Sequence, residues 1–70
     1  MTEKDWKRLE LLMDGLILFG MPKDDIITLT GLMTNRPSEV EKLMVWMADH
    51  PKATPAQIEI QALKIVDKEA

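Results

Sequence analysis

The stretch Trp6–Phe19, WKRLELLMDGLILF, carries the most regular hydrophobic pattern in this 70-residue chain. At 100° per residue its apolar side chains fall on one broad stripe, and most of its charged side chains fall outside that stripe. The stripe consists of Trp6, Leu9, Leu12, Met13, Leu16, Ile17 and Phe19. Thr2 and Asp5 form a capping-box pattern before it, and Gly20 and Pro22 follow it as helix-ending residues. The sequence therefore predicts a first helix that starts near Thr2 and ends near Gly20.

Short start signals mark three further helices. Asp24 and Asp25 suit the positive end of a helix. Pro37 suits the first position of another, and Thr54 with Gln57 forms a capping-box pair before the last. The apolar stripes that follow these signals are Ile26, Leu29, Thr30 and Met33; Val40, Leu43, Met44 and Met47; and Ile58, Ala62, Ile65 and Val66.

Two segments carry further local signals, one for a possible strand and one for a helix start. Ile26–Thr30 is rich in β-branched residues and is compatible with a strand, but a lone strand would have no partner in this chain, so a helix is expected. Ser38 and Glu41 offer a second capping box at the start of the third helix, and Asn35 is a suitable turn residue before it.

Length and composition favour one small folded domain. An apolar content of 46% argues against disorder, and 70 residues suit a single core. We therefore expect a compact all-α four-helix domain over residues 1–70, with a three-helix core plus a C-terminal helix. The absence of cysteine excludes disulfides and thiolate metal sites and favours the cytoplasm. No apolar run is long enough to span a membrane, and the first residues do not resemble a basic signal peptide.

The reactive side chains do not form a recognisable catalytic or metal-binding pattern. His50 lies at the end of the third helix before Pro51, where a histidine suits the helix dipole. Asp24 and Asp25 are adjacent, so on a helix they point apart instead of converging on a metal. The three glycines are isolated and form no phosphate-binding loop. We expect no enzymatic activity, no metal and no cofactor.

Five apolar residues remain outside the predicted core stripes. They are Leu11 and Leu18 on the first helix, Val45 on the third, and Ile60 and Leu63 on the fourth. Either the first helix runs through the centre of the domain and is covered on both sides, or these residues form an interface with a partner protein or a second copy. Leu11, Leu18, Ile60 and Leu63 are the candidate interface, with a homodimer as one outcome. Both tryptophans and four of the methionines are expected to complete the core.

A helix-turn-helix DNA-binding protein is the alternative. The net charge of −3 and a pI near 5.0 predict no general affinity for nucleic acid. Arg36 and Lys42, at the start of the third helix, are the residues that would contact phosphate, although Glu39 and Glu41 lie beside them.

The segment VEKLMVWMADH, residues 40–50, is similar to the third helix of ubiquitin-associated domains, and Phe19-Gly20-Met21 resembles the loop of that family. The resemblance spans Leu16 to His50. It implies compact three-helix packing, with ubiquitin binding at Phe19, Gly20, Met21 and the third helix. The chain departs from the family in the order of Phe19 and Met21 and in its fourth helix.

Overall fold

Four helices make up the computed structural model, which describes residues 2–69. They are α1 (Glu3–Leu18), α2 (Lys23–Met33), α3 (Pro37–Asp49) and α4 (Pro55–Glu69). No β-strand occurs within residues 2–69. The prediction of an all-α four-helix domain is confirmed, and the β-branched segment in α2 is helical. No helix in this range combines the length and apolar character needed to cross a membrane.

Reciprocal side-chain hydrogen bonds start α1 and α4, as the sequence predicts. The backbone N–H of Thr2 donates to Asp5 Oδ2 at 3.1 Å, and the N–H of Asp5 donates to Thr2 Oγ1 at 3.3 Å. At α4 the N–H of Thr54 donates to Gln57 Oε1 at 2.9 Å, and the N–H of Gln57 donates to Thr54 Oγ1 at 3.2 Å. Each pair satisfies backbone donors that a helix N-terminus leaves without an intrahelical partner.

The capping box predicted from Ser38 and Glu41 at the start of α3 is wrong. The helix begins at Pro37 with Arg36 as its N-cap, so Ser38 already lies inside the first turn. Its hydroxyl donates instead to Glu39 Oε2 at 3.1 Å. The physical reason is that proline, which needs no N–H partner, takes the first helical position, so the cap lies at Arg36, two residues before Ser38.

Gly20 ends α1 in a Schellman motif. It has a φ of 82°, its N–H donates to the carbonyl of Ile17, and the N–H of Met21 donates to the carbonyl of Leu16. Met21 and Leu16 are both buried in the core, so the motif turns the chain and returns it to the interior. Asn35, with a φ of 67°, makes the turn between α2 and α3.

The core is built around α3, which packs against α1 and α4 and more lightly against α2. Its completely covered large side chains come from all four helices: Leu12, Leu16, Met33, Val40, Leu43 and Ile58. The predicted stripes of α2 and α4 are buried throughout, and Met44 of α3 is half-buried against the core. Trp46 and Met13 are likewise half-buried against it.

Two predictions about the α1 stripe are wrong. Trp6 is 51% exposed and Ile17 is 60% exposed, although both were expected in the core. They share one edge of the helix, roughly 90–110° from the line through Leu9, Leu12 and Leu16. Because α1 packs on α2 and α3 from one side, the covered stripe is narrower than the apolar stripe in the sequence.

Candidate interaction surfaces

The four candidate interface residues are all largely exposed. The exposed fraction is 57% for Leu11, 87% for Leu18, 53% for Ile60 and 56% for Leu63. The alternative in which α1 is covered on both sides is therefore wrong within the described chain. Exposed apolar side chains mark an interaction surface where they form a contiguous patch, so the positions of these four relative to one another decide what they indicate.

These residues do not lie on one surface. Leu11 lines a depression between α1 and α3, Ile60 lines one between α3 and α4, and Leu63 lines one between α2 and α4. Leu18 belongs to none of these three depressions. The second apolar face of the sequence is thus divided among several sides of the molecule.

The α1/α3 depression, of about 280 Å³, has an apolar lining. Leu11 contributes from α1, Phe19 from the C-cap of that helix, and Met44 and Ala48 from α3. Gly15 lies between them, and a Cβ at Gly15 would stand 3.3 Å from Met47 Cε, so the two helices approach closely there.

The neighbouring end of the same α1/α3 boundary is polar. Arg8 Nη1 lies 3.5 Å from Glu41 Oε2, and these residues line a second depression of about 320 Å³ together with Met44, Val45 and Ala48. The ion pair is solvent-exposed, so its contribution to stability is small. It joins the Arg8 side chain of α1 to α3.

The outward face of α1 around Leu11 carries charges of both signs. Lys7 and Asp14 are exposed and flank Leu11 on the same side of the helix. Lys4 and Leu18 lie seven residues before and after Leu11, close to the same line along the helix. We call Lys4, Lys7, Leu11, Asp14 and Leu18 the outer α1 face.

A longer groove runs between α3 and α4. It consists of two adjoining depressions of about 500 and 820 Å³, which share Trp46, Gln61 and Lys64. The Trp46 ring stacks on His50, with centroids 4.2 Å apart and an interplanar angle of 18°. His50 Nδ1 lies 2.8 Å from the carbonyl oxygen of Trp46. The indole is thereby held at the wall of the groove.

Sequence reasoning missed this groove. The basic side chains that line it come from the separate segments Lys42, Lys52, Lys64 and Lys68. They do not form a run in the sequence, so no local charge pattern signals them. Trp6, Ile17 and Ile27 were also missed as exposed apolar residues, because all three fall at the edges of otherwise buried helix faces.

The titratable groups of the described residues include no triad of His, Asp or Glu arranged to hold a metal ion. His50 is exposed and directs Nδ1 to its own helix backbone. One carboxyl has a clearly shifted pKa: the backbone hydrogen bond from Thr2, aided by the Thr2 hydroxyl, lowers the pKa of Asp5. That shift belongs to the capping box and indicates no catalytic role.

The residues named for DNA binding are not brought together. Arg36 is the half-buried N-cap of α3, whereas Lys42 lines the α3/α4 groove. Three residues separate α2 from α3, a length that a helix-turn-helix uses. Glu39 is buried and Glu41 pairs with Arg8, so acidic side chains flank both candidate contacts.

The resemblance to ubiquitin-associated domains meets a similar difficulty. Met21 is 5% exposed and belongs to the core, so this member of the loop is not available to a partner. Comparison with known proteins gives no relative: no family model, no curated protein and no solved structure matches this chain.

Proposed function

We propose that this chain is a small non-enzymatic interaction module that acts in the cytoplasm and assembles with a second copy of itself through the outer α1 face. The observation that carries the proposal is the exposure of Leu11 at the centre of this face, with Lys7 and Asp14 on one side of it. The cysteine-free composition supports the cytoplasmic assignment.

The outer α1 face of one copy is complementary in charge to the same face of a second copy when the two helices pack antiparallel. If two copies of α1 pack antiparallel with Leu11 on the two-fold axis, Lys7 of each copy comes opposite Asp14 of the other. An isologous interface requires such reciprocal contacts, because each residue pair occurs twice. A parallel arrangement would place like charges together and lacks this advantage.

The same arrangement accounts for Leu18. Since Lys4 and Leu18 are each seven residues from Leu11, the antiparallel register brings Leu18 of one copy over Lys4 of the other. A lysine side chain can cover an apolar neighbour with its aliphatic stem while its ammonium group stays in water.

Sedimentation equilibrium over a wide concentration range tests the proposal. We expect a reversible dimer, and we expect Leu11→Asp to weaken it more than about a hundredfold because the carboxylate would be buried without a partner. Ile27→Asp is the matched control, because Ile27 is exposed to the same extent on α2. It should leave dimerisation unchanged.

A charge exchange tests the register itself. Lys7→Glu should weaken the dimer about tenfold, since two attractive pairs become repulsive. Lys7→Glu combined with Asp14→Lys should restore most of the affinity. A monomer at every concentration, or a dimer indifferent to both Leu11→Asp and Lys7→Glu, would overturn the proposal.

The DNA-binding alternative predicts a different result. It requires affinity for duplex DNA that falls steeply with salt and that depends on Arg36 and Lys42. Binding that survives the replacement of both residues by alanine would remove it.

A further inference from the structure

The α3/α4 groove is lined mainly by basic charges, although the molecule is acidic overall. Among the side chains that the structure describes, Lys42, Lys52, Lys64 and Lys68 line it, against one acid, Asp49. Asp67 follows Lys64 by three residues on α4 but lines neither depression. The groove therefore has the opposite sign to the net charge of −3.

The groove is also strongly apolar. Ile60 and Val45 are more than half exposed and lie in its two depressions, and Trp46 belongs to both. Pro51 and Ala53 add apolar surface near Ile60. Gln57 and Gln61 supply amide groups that can donate and accept hydrogen bonds. An occupant should accordingly combine carboxylates with apolar side chains.

We propose that the α3/α4 groove binds an acidic amphipathic segment of a partner protein. The carboxylates of the segment would pair with Lys52, Lys64 and Lys68 along the rim, and its apolar side chains would cover Ile60 and Trp46. The groove shares no residue with the outer α1 face, so variants can be made in each surface separately.

Several features of the groove favour a peptide over a nucleic acid. Its cations are all lysines, which act as point charges and lack the planar fork that grips phosphate in two places. Single strands bind on successive aromatic side chains, whereas this groove offers one indole, already stacked on His50. A nucleic-acid backbone carries a charge at every residue and would meet Asp49, whereas a peptide can place an apolar side chain there.

Trp46 is a built-in reporter for the test. In a Trp6→Phe variant Trp46 is the sole tryptophan, so its fluorescence reports on the groove. The probe is a synthetic amphipathic peptide composed of Glu, Leu and Ala. Comparison probes are the same peptide with Lys at every Glu position, and oligodeoxythymidine. We expect a saturable fluorescence change with the acidic peptide and none with the basic one.

The variants separate the groove from general charge effects. Lys52→Glu and Lys64→Glu should each weaken peptide binding about tenfold, and Ile60→Ser should weaken it similarly. Lys23→Glu on α2 makes the same change of charge away from the groove and should alter affinity less than twofold. Circular dichroism verifies that each variant is folded.

Each contrary result overturns the proposal. One such result is that the groove binds oligodeoxythymidine more tightly than the acidic peptide, or binds the basic peptide equally well. Another is that Lys23→Glu and Lys64→Glu lower the affinity for the acidic peptide equally. A third is that the acidic peptide gives no fluorescence or calorimetric response. Leu11→Asp should leave peptide binding intact, so failure of self-association and failure of the groove are distinguished.

Discussion

His50, the C-cap of α3, contacts Trp46 of the same helix twice, through ring stacking and through a hydrogen bond to its carbonyl oxygen. The ring nitrogen Nδ1 lies 2.8 Å from the Trp46 carbonyl oxygen, and the two aromatic rings stack 4.2 Å apart. Because a carbonyl oxygen can only accept a hydrogen bond, Nδ1 carries a proton and Nε2 is the nitrogen without one in the neutral ring. The histidine thus has a structural role at the wall of the α3/α4 groove.

Loss of this contact should expose the indole. In a Trp6→Phe background we expect His50→Ala to shift the Trp46 emission maximum to longer wavelength, because the face covered by the imidazole becomes accessible to water. His50→Phe keeps an aromatic ring at the position and should give a smaller shift. Equal spectra for the wild type and His50→Ala would show that the stacking does not persist in solution.

Replacement of the two candidate cap residues should have unequal effects. Thr54→Ala should lower the free energy of unfolding by about 1 kcal/mol, because the N–H of Gln57 loses its acceptor. Ser38→Ala should change it by less than about 0.5 kcal/mol, since the Ser38 hydroxyl bonds to a neighbouring side chain and caps no helix. Urea unfolding monitored by circular dichroism measures both. Equal losses would contradict the start of α3 at Pro37.

Two leucines of α1 should respond differently to truncation. Leu12 is completely buried, so Leu12→Ala should cost about 3 kcal/mol through lost transfer energy and the cavity left behind. That is a large part of the stability of a domain this size, roughly 4–10 kcal/mol. Leu18 is 87% exposed, and Leu18→Ala should stay within about 0.5 kcal/mol at concentrations where the chain is monomeric. A large loss for Leu18→Ala would indicate that the chain covers this residue.

The α1 capping box should give stability a pH dependence. The pKa of Asp5 is lowered chiefly by the backbone hydrogen bond from Thr2, so the charged carboxylate is favoured in the folded state. Its contribution is complete above the ordinary pKa of an aspartate and is lost as the pH falls through the lowered folded value.

Asp5→Asn should therefore reduce stability at neutral pH, and the difference from the wild type should shrink in acid. Urea titrations at neutral pH and below the folded pKa of Asp5 measure this difference. Asp67→Asn, at the other end of the chain, serves as the control. A difference that persists unchanged in acid would assign the effect to something other than the Asp5 charge.

Much of the fold could be predicted because its signals are local. The capping boxes of Thr2 with Asp5 and of Thr54 with Gln57, and the helix stop at Gly20, depend on residues a few positions apart. The Ser38 prediction failed for an equally local reason, because Pro37 already occupied the first helical position. The candidate surfaces could be predicted only in part. Local periodicity identified Leu11 and Ile60 as apolar residues outside the core stripes, but it could not predict that they lie on different faces of the molecule.

The sequence by itself determined four helices, their main apolar stripes and the five apolar residues left over, because capping and 3.6-residue periodicity operate along the chain. Only the tertiary structure decided which edge of α1 was covered, leaving Trp6 and Ile17 exposed, and which lysines shared a groove. The physical reason is that burial at the margin of a helix and the gathering of distant charges depend on where neighbouring helices pack. That packing brought Lys52 and Lys64 to one face, and no local pattern encodes it.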